Sequence, residues 1–89
     1  MTCYIITFQT NTDASRNKVL GILQTYSSYC PIHKYCWAIM TSEKSPQITE
    51  KIRKALAPGE FVFVIRSGTE AAWFNSYGQK NDNWLKENL

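Results

Sequence analysis

The chain has 89 residues, 44% of them hydrophobic and 19% charged, with a formal net charge of +3. That length makes one domain, residues 1–89, without room for a second core, and so short a chain buries only about 60–65% of its unfolded surface. Trp37, Trp73 and Trp84, with five Tyr and four Phe, exclude a disordered chain, because rings of that size need a core or an interface.

No apolar stretch approaches the roughly 20 residues that cross a bilayer, so no membrane partner is expected. The opening Met1-Thr2-Cys3-Tyr4 lacks the basic segment and small-residue cleavage site of a signal peptide. Three cysteines, an odd number, fit a reducing compartment. A cytoplasmic location is therefore expected. The charge permits contact with nucleic acid without announcing it, since a dedicated binder usually has a pI above ~9 and clustered charge.

Cys3 to Phe8 (CYIITF) is β-branched and aromatic and predicts a strand. Tyr4, Ile6 and Phe8 fall on one face and Cys3, Ile5 and Thr7 on the other. Apolar residues on both faces predict a central strand. Thr12 or Asp13 can cap a helix from Ala14 to Tyr26, whose apolar stripe is Val19, Leu20, Ile22, Leu23 and Tyr26. Gly21 within it suggests a close approach of another element. Ser27 to Lys34 reads as a short irregular strand and Tyr35 to Thr41 (YCWAIMT) as a second strong one, again apolar on both faces. Ser45-Pro46 starts a second helix that lines up Ile48, Ile52, Ala55 and Leu56. Pro58-Gly59 makes a turn, and Phe61 to Ile65 (FVFVI), a continuous apolar run, predicts a buried strand. After a mixed segment with an aromatic knot at Trp73-Phe74, Asn81 or Asp82 can cap a last helix, Asn83 to Asn88.

This order, with right-handed crossovers, predicts an α+β fold. It is a ferredoxin-like βαββαβ sandwich: a four-stranded antiparallel sheet, first and third strands central, two helices on one face, and a short C-terminal helix. The second sheet face keeps apolar residues that need a cover. The C-terminal segment with Trp73, Phe74 and Trp84 can fold over it, or a second copy can pack against it. A homodimer through the sheet face is the expectation.

Chemistry is sparse. Cys30, His33 and Cys36 with Cys3 do not have the ligand spacing of a structural zinc site, and a packed hairpin with free thiols explains them better. The seven carboxylates, Asp13, Glu43, Glu50, Glu60, Glu70, Asp82 and Glu87, form no paired-acid or metal motif. No cofactor is expected. Arg16 and Lys18 on the first helix, with Lys44, Lys51, Arg53 and Lys54 on or before the second, can form a joint basic ridge. They are the candidate contacts for RNA or DNA, although an ordinary solvated helix face accounts for them as well.

Three stretches, Tyr4-Ile5-Ile6-Thr7-Phe8-Gln9, Trp37-Ala38-Ile39, and Glu70-Ala71-Ala72-Trp73 with the ending Trp84-Leu85-Lys86-Glu87-Asn88-Leu89, resemble small prokaryotic proteins of the SinR-like family. That family is similar to the second CRISPR-associated core protein, the adaptation-complex nuclease, and to VapD-type toxins. The resemblance implies a ferredoxin-like fold and a homodimer. It also implies that an Asp closing the first strand meets its copy near the dimer axis to hold a divalent metal. Gln9 stands at that position here, and a neutral amide is a poor Mg²⁺ ligand beside a carboxylate. The reading is thus a degenerate, non-catalytic member acting as a homodimeric nucleic-acid- or protein-binding module. The alternatives are a weak metal-dependent endoribonuclease or endonuclease, the one case that calls for Mg²⁺, and a toxin or antitoxin component of a small operon.

Overall fold

A computed structural model describes residues 1–68 and 70–89. The elements are β1 (Thr2–Gln9), α1 (Asp13–Leu23), β2 (Ser28–His33), β3 (Cys36–Thr41), α2 (Ser45–Arg53), β4 (Phe61–Arg66) and α3 (Gln79–Asn88). The four strands form one sheet in the order β2-β3-β1-β4, and every neighbouring pair is antiparallel. With α1 and α2 packed on one face, this is the ferredoxin-like arrangement expected from the sequence. β1 and β3, the strands apolar on both sides, are central.

The main core lies between the sheet and these two helices. Tyr4, Ile6 and Phe8 of β1 and Trp37 and Ile39 of β3 meet Val19 and Leu23 of α1 and Ile48 and Ile52 of α2. Spacing explains the choice: the β residues alternate, and Val19/Leu23 and Ile48/Ile52 are each four apart, one turn along a helix. Tyr26 joins this core from beyond the end of α1, in a turn closed by its N–H donating to the Leu23 carbonyl at 3.3 Å. Arg16 Nε donates to the Lys34 carbonyl at 3.1 Å, holding α1 to the β2–β3 turn.

Helix boundaries follow from particular side chains. Thr12 is the N-cap of α1: its Oγ1 accepts from the Ser15 N–H at 3.1 Å. Asp13 is the first helical residue instead of a cap, placed where a negative charge faces the helix dipole. α3 begins four residues before the expected Asn83, after Gly78 at φ +125°. Neither Asn81 nor Asp82 caps it, because both side chains are engaged elsewhere. Asn81 Nδ2 donates to the Pro31 carbonyl at 3.0 Å, and Asp82 Oδ1 accepts from Trp73 Nε1 at 2.7 Å. Gly21 does not mark a close approach, since a Cβ there would meet nothing within 4 Å.

The second face of the sheet is covered over only half its width. One cross-sheet row runs Cys30, Ala38, Ile5, Ile65. Exposure rises along it from 1% at Cys30 and 0% at Ala38, through partly buried Ile5, to 51% at Ile65. α3 is the reason. Its Leu85 is buried, and Trp84 Nε1 donates to Ser28 Oγ at 3.0 Å, so the helix lies on the β2–β3 side. The expected cover by the C-terminal segment is therefore real but partial. The expectation that all of Phe61–Ile65 is buried fails: Phe61 and Phe63 are 58% and 60% exposed. Val62 and Val64 face the helices and pack on the main core, while the alternate residues face outward past the edge of α3.

Candidate functional site

Two surfaces stand out, one on each side of the sheet. The first is the uncovered half of the second face. Antiparallel pairing places Gln9 opposite Phe61, Thr7 opposite Phe63 and Ile5 opposite Ile65, and directly paired residues share a face. The result is a patch with three large apolar side chains on β4 and Ile5, Thr7 and Gln9 beside them, with no charged side chain among the six. β4 is also an edge strand, so its outer backbone groups lack a ladder partner within the sheet. Natural edges are usually blunted by charge, proline or a bulge. Here the edge strand carries aromatic residues instead.

Sequence reasoning anticipated an apolar second face in need of a cover, but not that the β4 half of it stays open. A continuous apolar run has no visible period, so FVFVI reads as buried on both sides. The signal that distinguishes the two faces is β4's position at the sheet edge, which is a property of topology.

The second surface is a groove of about 410 Å³ between α1 and α2 on the outer side of the helix layer. Ile22 and Ala55 line it, the missing side chain of Gly21 opens it, and Lys18, Lys51 and Lys54 flank it. Three of the six basic candidates thus come together. The other three do not line the groove. Arg16 is held at the β2–β3 turn with its guanidinium 5.9 Å from the Tyr35 ring centre. Lys44 is the N-cap of α2. Arg53 makes a double hydrogen bond to Glu50 at 2.6 and 2.9 Å. Of the three groove lysines, Lys51 is paired with Glu43 and lies over the Tyr26 ring. Lys18 and Lys54 make no ion pair among the described residues.

Glu43 sits at the centre of a small polar knot. Tyr26 donates its hydroxyl to Glu43 Oε1 at 2.8 Å, and Lys51 donates to Glu43 Oε2. The Lys51 ammonium, and then the Tyr26 hydroxyl, hold the carboxyl below its ordinary range. Burial, with the carboxylate beside it, pushes the Tyr26 phenol up. The arrangement stabilises a charged carboxylate.

The thiols are quiet. Cys3, Cys30 and Cys36 are free and buried, and burial raises the pKa of each, which suppresses the reactive thiolate. His33 closes β2 and accepts from the Tyr35 N–H through Nδ1 at 3.4 Å. Among the described residues no group of three or more His, Cys, Asp or Glu side chains is placed to share a metal ion. No described helix is long and apolar enough to cross a membrane.

The chain matches no protein-family model, no curated protein and no solved structure.

Proposed function

We propose that this protein acts without catalysis, as a homodimeric module that binds a nucleic acid or a protein partner and pairs through the uncovered half of its sheet. One observation carries the reading: Phe61, Phe63 and Ile65 stand more than half exposed, side by side on an edge strand. Leaving three such side chains in water forgoes about 1.5–3 kcal/mol of burial each. A second copy is the occupant that best suits the patch. A two-fold axis sets the same surface against itself, and with no charge in the patch, like meets like without repulsion.

The position of Gln9 supports a degenerate relative of the small CRISPR-associated nucleases. It ends β1 on this same face, opposite Phe61, so a face-to-face dimer would bring its two copies toward the axis. At that place the chain offers an amide where the nuclease mechanism needs a carboxylate. Lys18, Lys51 and Lys54 around the α1–α2 groove support the nucleic-acid arm, since that surface stays open when the sheet faces pair.

Sedimentation equilibrium at micromolar concentration tests the dimer. The native protein should run as a dimer and Phe63→Asp as a folded monomer, with circular dichroism confirming that the variant is folded. A native monomer would sink the proposal. Incubation with single-stranded RNA and with duplex DNA, in Mg²⁺, Mn²⁺ or chelator, tests the rest. Mobility shift without cutting is the expected result, and metal-dependent cutting would overturn the non-catalytic reading.

A further inference from the structure

We propose that a ring-lined pocket between the end of β2 and the segment before α3 receives an unpaired base of a single-stranded nucleic acid. This inference rests on the nucleic-acid arm of the reading above and gives it a substrate class. The pocket measures about 390 Å³ and shares no lining residue with the lysine groove.

Four rings line it: His33, Trp73, Phe74 and Tyr77. Trp73 is anchored by its bond to Asp82. Phe74 and Tyr77, by contrast, are 93% and 62% exposed. Two aromatic side chains left in solvent beside an anchored indole offer flat faces to a flat ligand. Base-on-aromatic stacking tolerates any base, because every base has a π-face.

The remaining lining residues narrow the ligand class. Asn75 and Ser76 stand among the rings. An amide both donates and accepts, as the Watson–Crick edge of a base requires. Ser76 already donates its hydroxyl to the Gly78 carbonyl at 3.0 Å, so it presents acceptor lone pairs, suited to an exocyclic amine. A purely apolar side chain would strip water from both groups without replacing their hydrogen bonds.

Charge points the same way. Rings can also cage a cationic ammonium, but no carboxylate lines this pocket among the described residues, and Asp82, bonded to Trp73, is already paired with Lys86. Lys80 is exposed in the first turn of α3, next to the residue that holds Pro31, whereas Lys34 is drawn over the Tyr35 ring, 5.4 Å from its centre. The Lys80 ammonium favours a phosphodiester backbone over a cation. An anionic polymer with flat, hydrogen-bonding rings meets every one of these conditions. A duplex does not, because its bases are stacked on one another and its edges are paired.

Fluorescence anisotropy with labelled oligoadenylate tests the proposal, with its duplex against oligouridylate as the comparison. Because Phe74 and Tyr77 are exposed, Phe74→Ala and Tyr77→Ala should fold normally. The native protein should bind the single strand more tightly than the duplex, with affinity falling as salt rises. Each substitution should weaken single-strand binding about 10-fold. Native binding that both variants retain in full would overturn the pocket and leave the nucleic-acid arm standing. No binding by the native protein would overturn both together. Variants that lose the dimer in sedimentation while binding the oligonucleotide normally would assign these rings to a second copy and overturn the proposal.

Discussion

The Trp84 indole N–H donates to Ser28 Oγ at 3.0 Å, tying the last helix to the first residue of the outermost strand. Asn81 reinforces that tie from the first turn of α3 through the Pro31 carbonyl. Beneath the helix lies Cys30, and its thiol approaches the Asn81 carbonyl at 3.8 Å. α3 is thus a lid on one half of the sheet, held by few bonds.

Loosening that tie should be visible at Cys30. Trp84→Ala removes both the bond and the packing of the ring, and should cost roughly 1–3 kcal/mol. Local opening of α3 should then speed alkylation of Cys30 by roughly 5- to 100-fold. Peptide-resolved mass spectrometry after timed alkylation reads each thiol separately. An unchanged rate at Cys30 would show that α3 is not what shields it.

The cap of α1 can be assigned by two substitutions. Thr12→Ala should lose about 1 kcal/mol in urea unfolding, because it orphans the Ser15 N–H. Asp13→Asn removes only a charge near the helix dipole, a loss of about 0.3–1 kcal/mol that salt should erase. Equal, salt-insensitive losses at both positions would contradict the assignment.

Acid should destabilise the fold through Glu43. Its folded pKa lies below the ordinary 4.5, so its contribution is complete above that value and fades as pH falls through the folded one. Glu60, held low by the N–H groups of Ala57 and Asn11, and Asp82, held low by Trp73 and Lys86, act in the same direction. Glu43→Gln should lose about 1 kcal/mol at neutral pH and show a shallower decline in acid. Urea midpoints across the acid range check this, and parallel curves for native and variant protein would contradict it.

The helix-side core should be intolerant of truncation. Ile52 is fully buried against the sheet. Ile52→Ala should cost about 2–5 kcal/mol and Ile52→Val about 0.5–1.5 kcal/mol. In so small a protein the first loss approaches the whole stability, so thermal unfolding should show the alanine variant largely unfolded. A small shift for both would mean that α2 packs loosely.

Much of the fold could be read from local chemistry. Thr12 before an acidic first turn, Ser45-Pro46, Pro58-Gly59 and the β-branched runs each mark a boundary through interactions within a few residues. The central place of β1 and β3 was legible for a related reason, since apolar side chains on both faces require two covers. The start of α3 was not legible. Asn81 and Asp82 have the right chemistry for caps, but Pro31, 50 positions away, and Trp73 claim their side chains. Among the basic candidates, Lys18, Lys51 and Lys54 converge while Arg53 is drawn to Glu50, a distinction that helix spacing alone left open.

The sequence by itself determined the type and order of the seven elements, the identity of the central strands and the apolar face of each helix, because propensity, capping and periodicity act over a few residues. Tertiary structure decided which half of the second face meets water. In an all-apolar strand such as Phe61–Ile65, each side chain's exposure depends on what lies across the sheet, about 10 Å away. α3 stops over β2 and β3, so Cys30 is buried and Phe63 is not, although both are apolar residues on the same face.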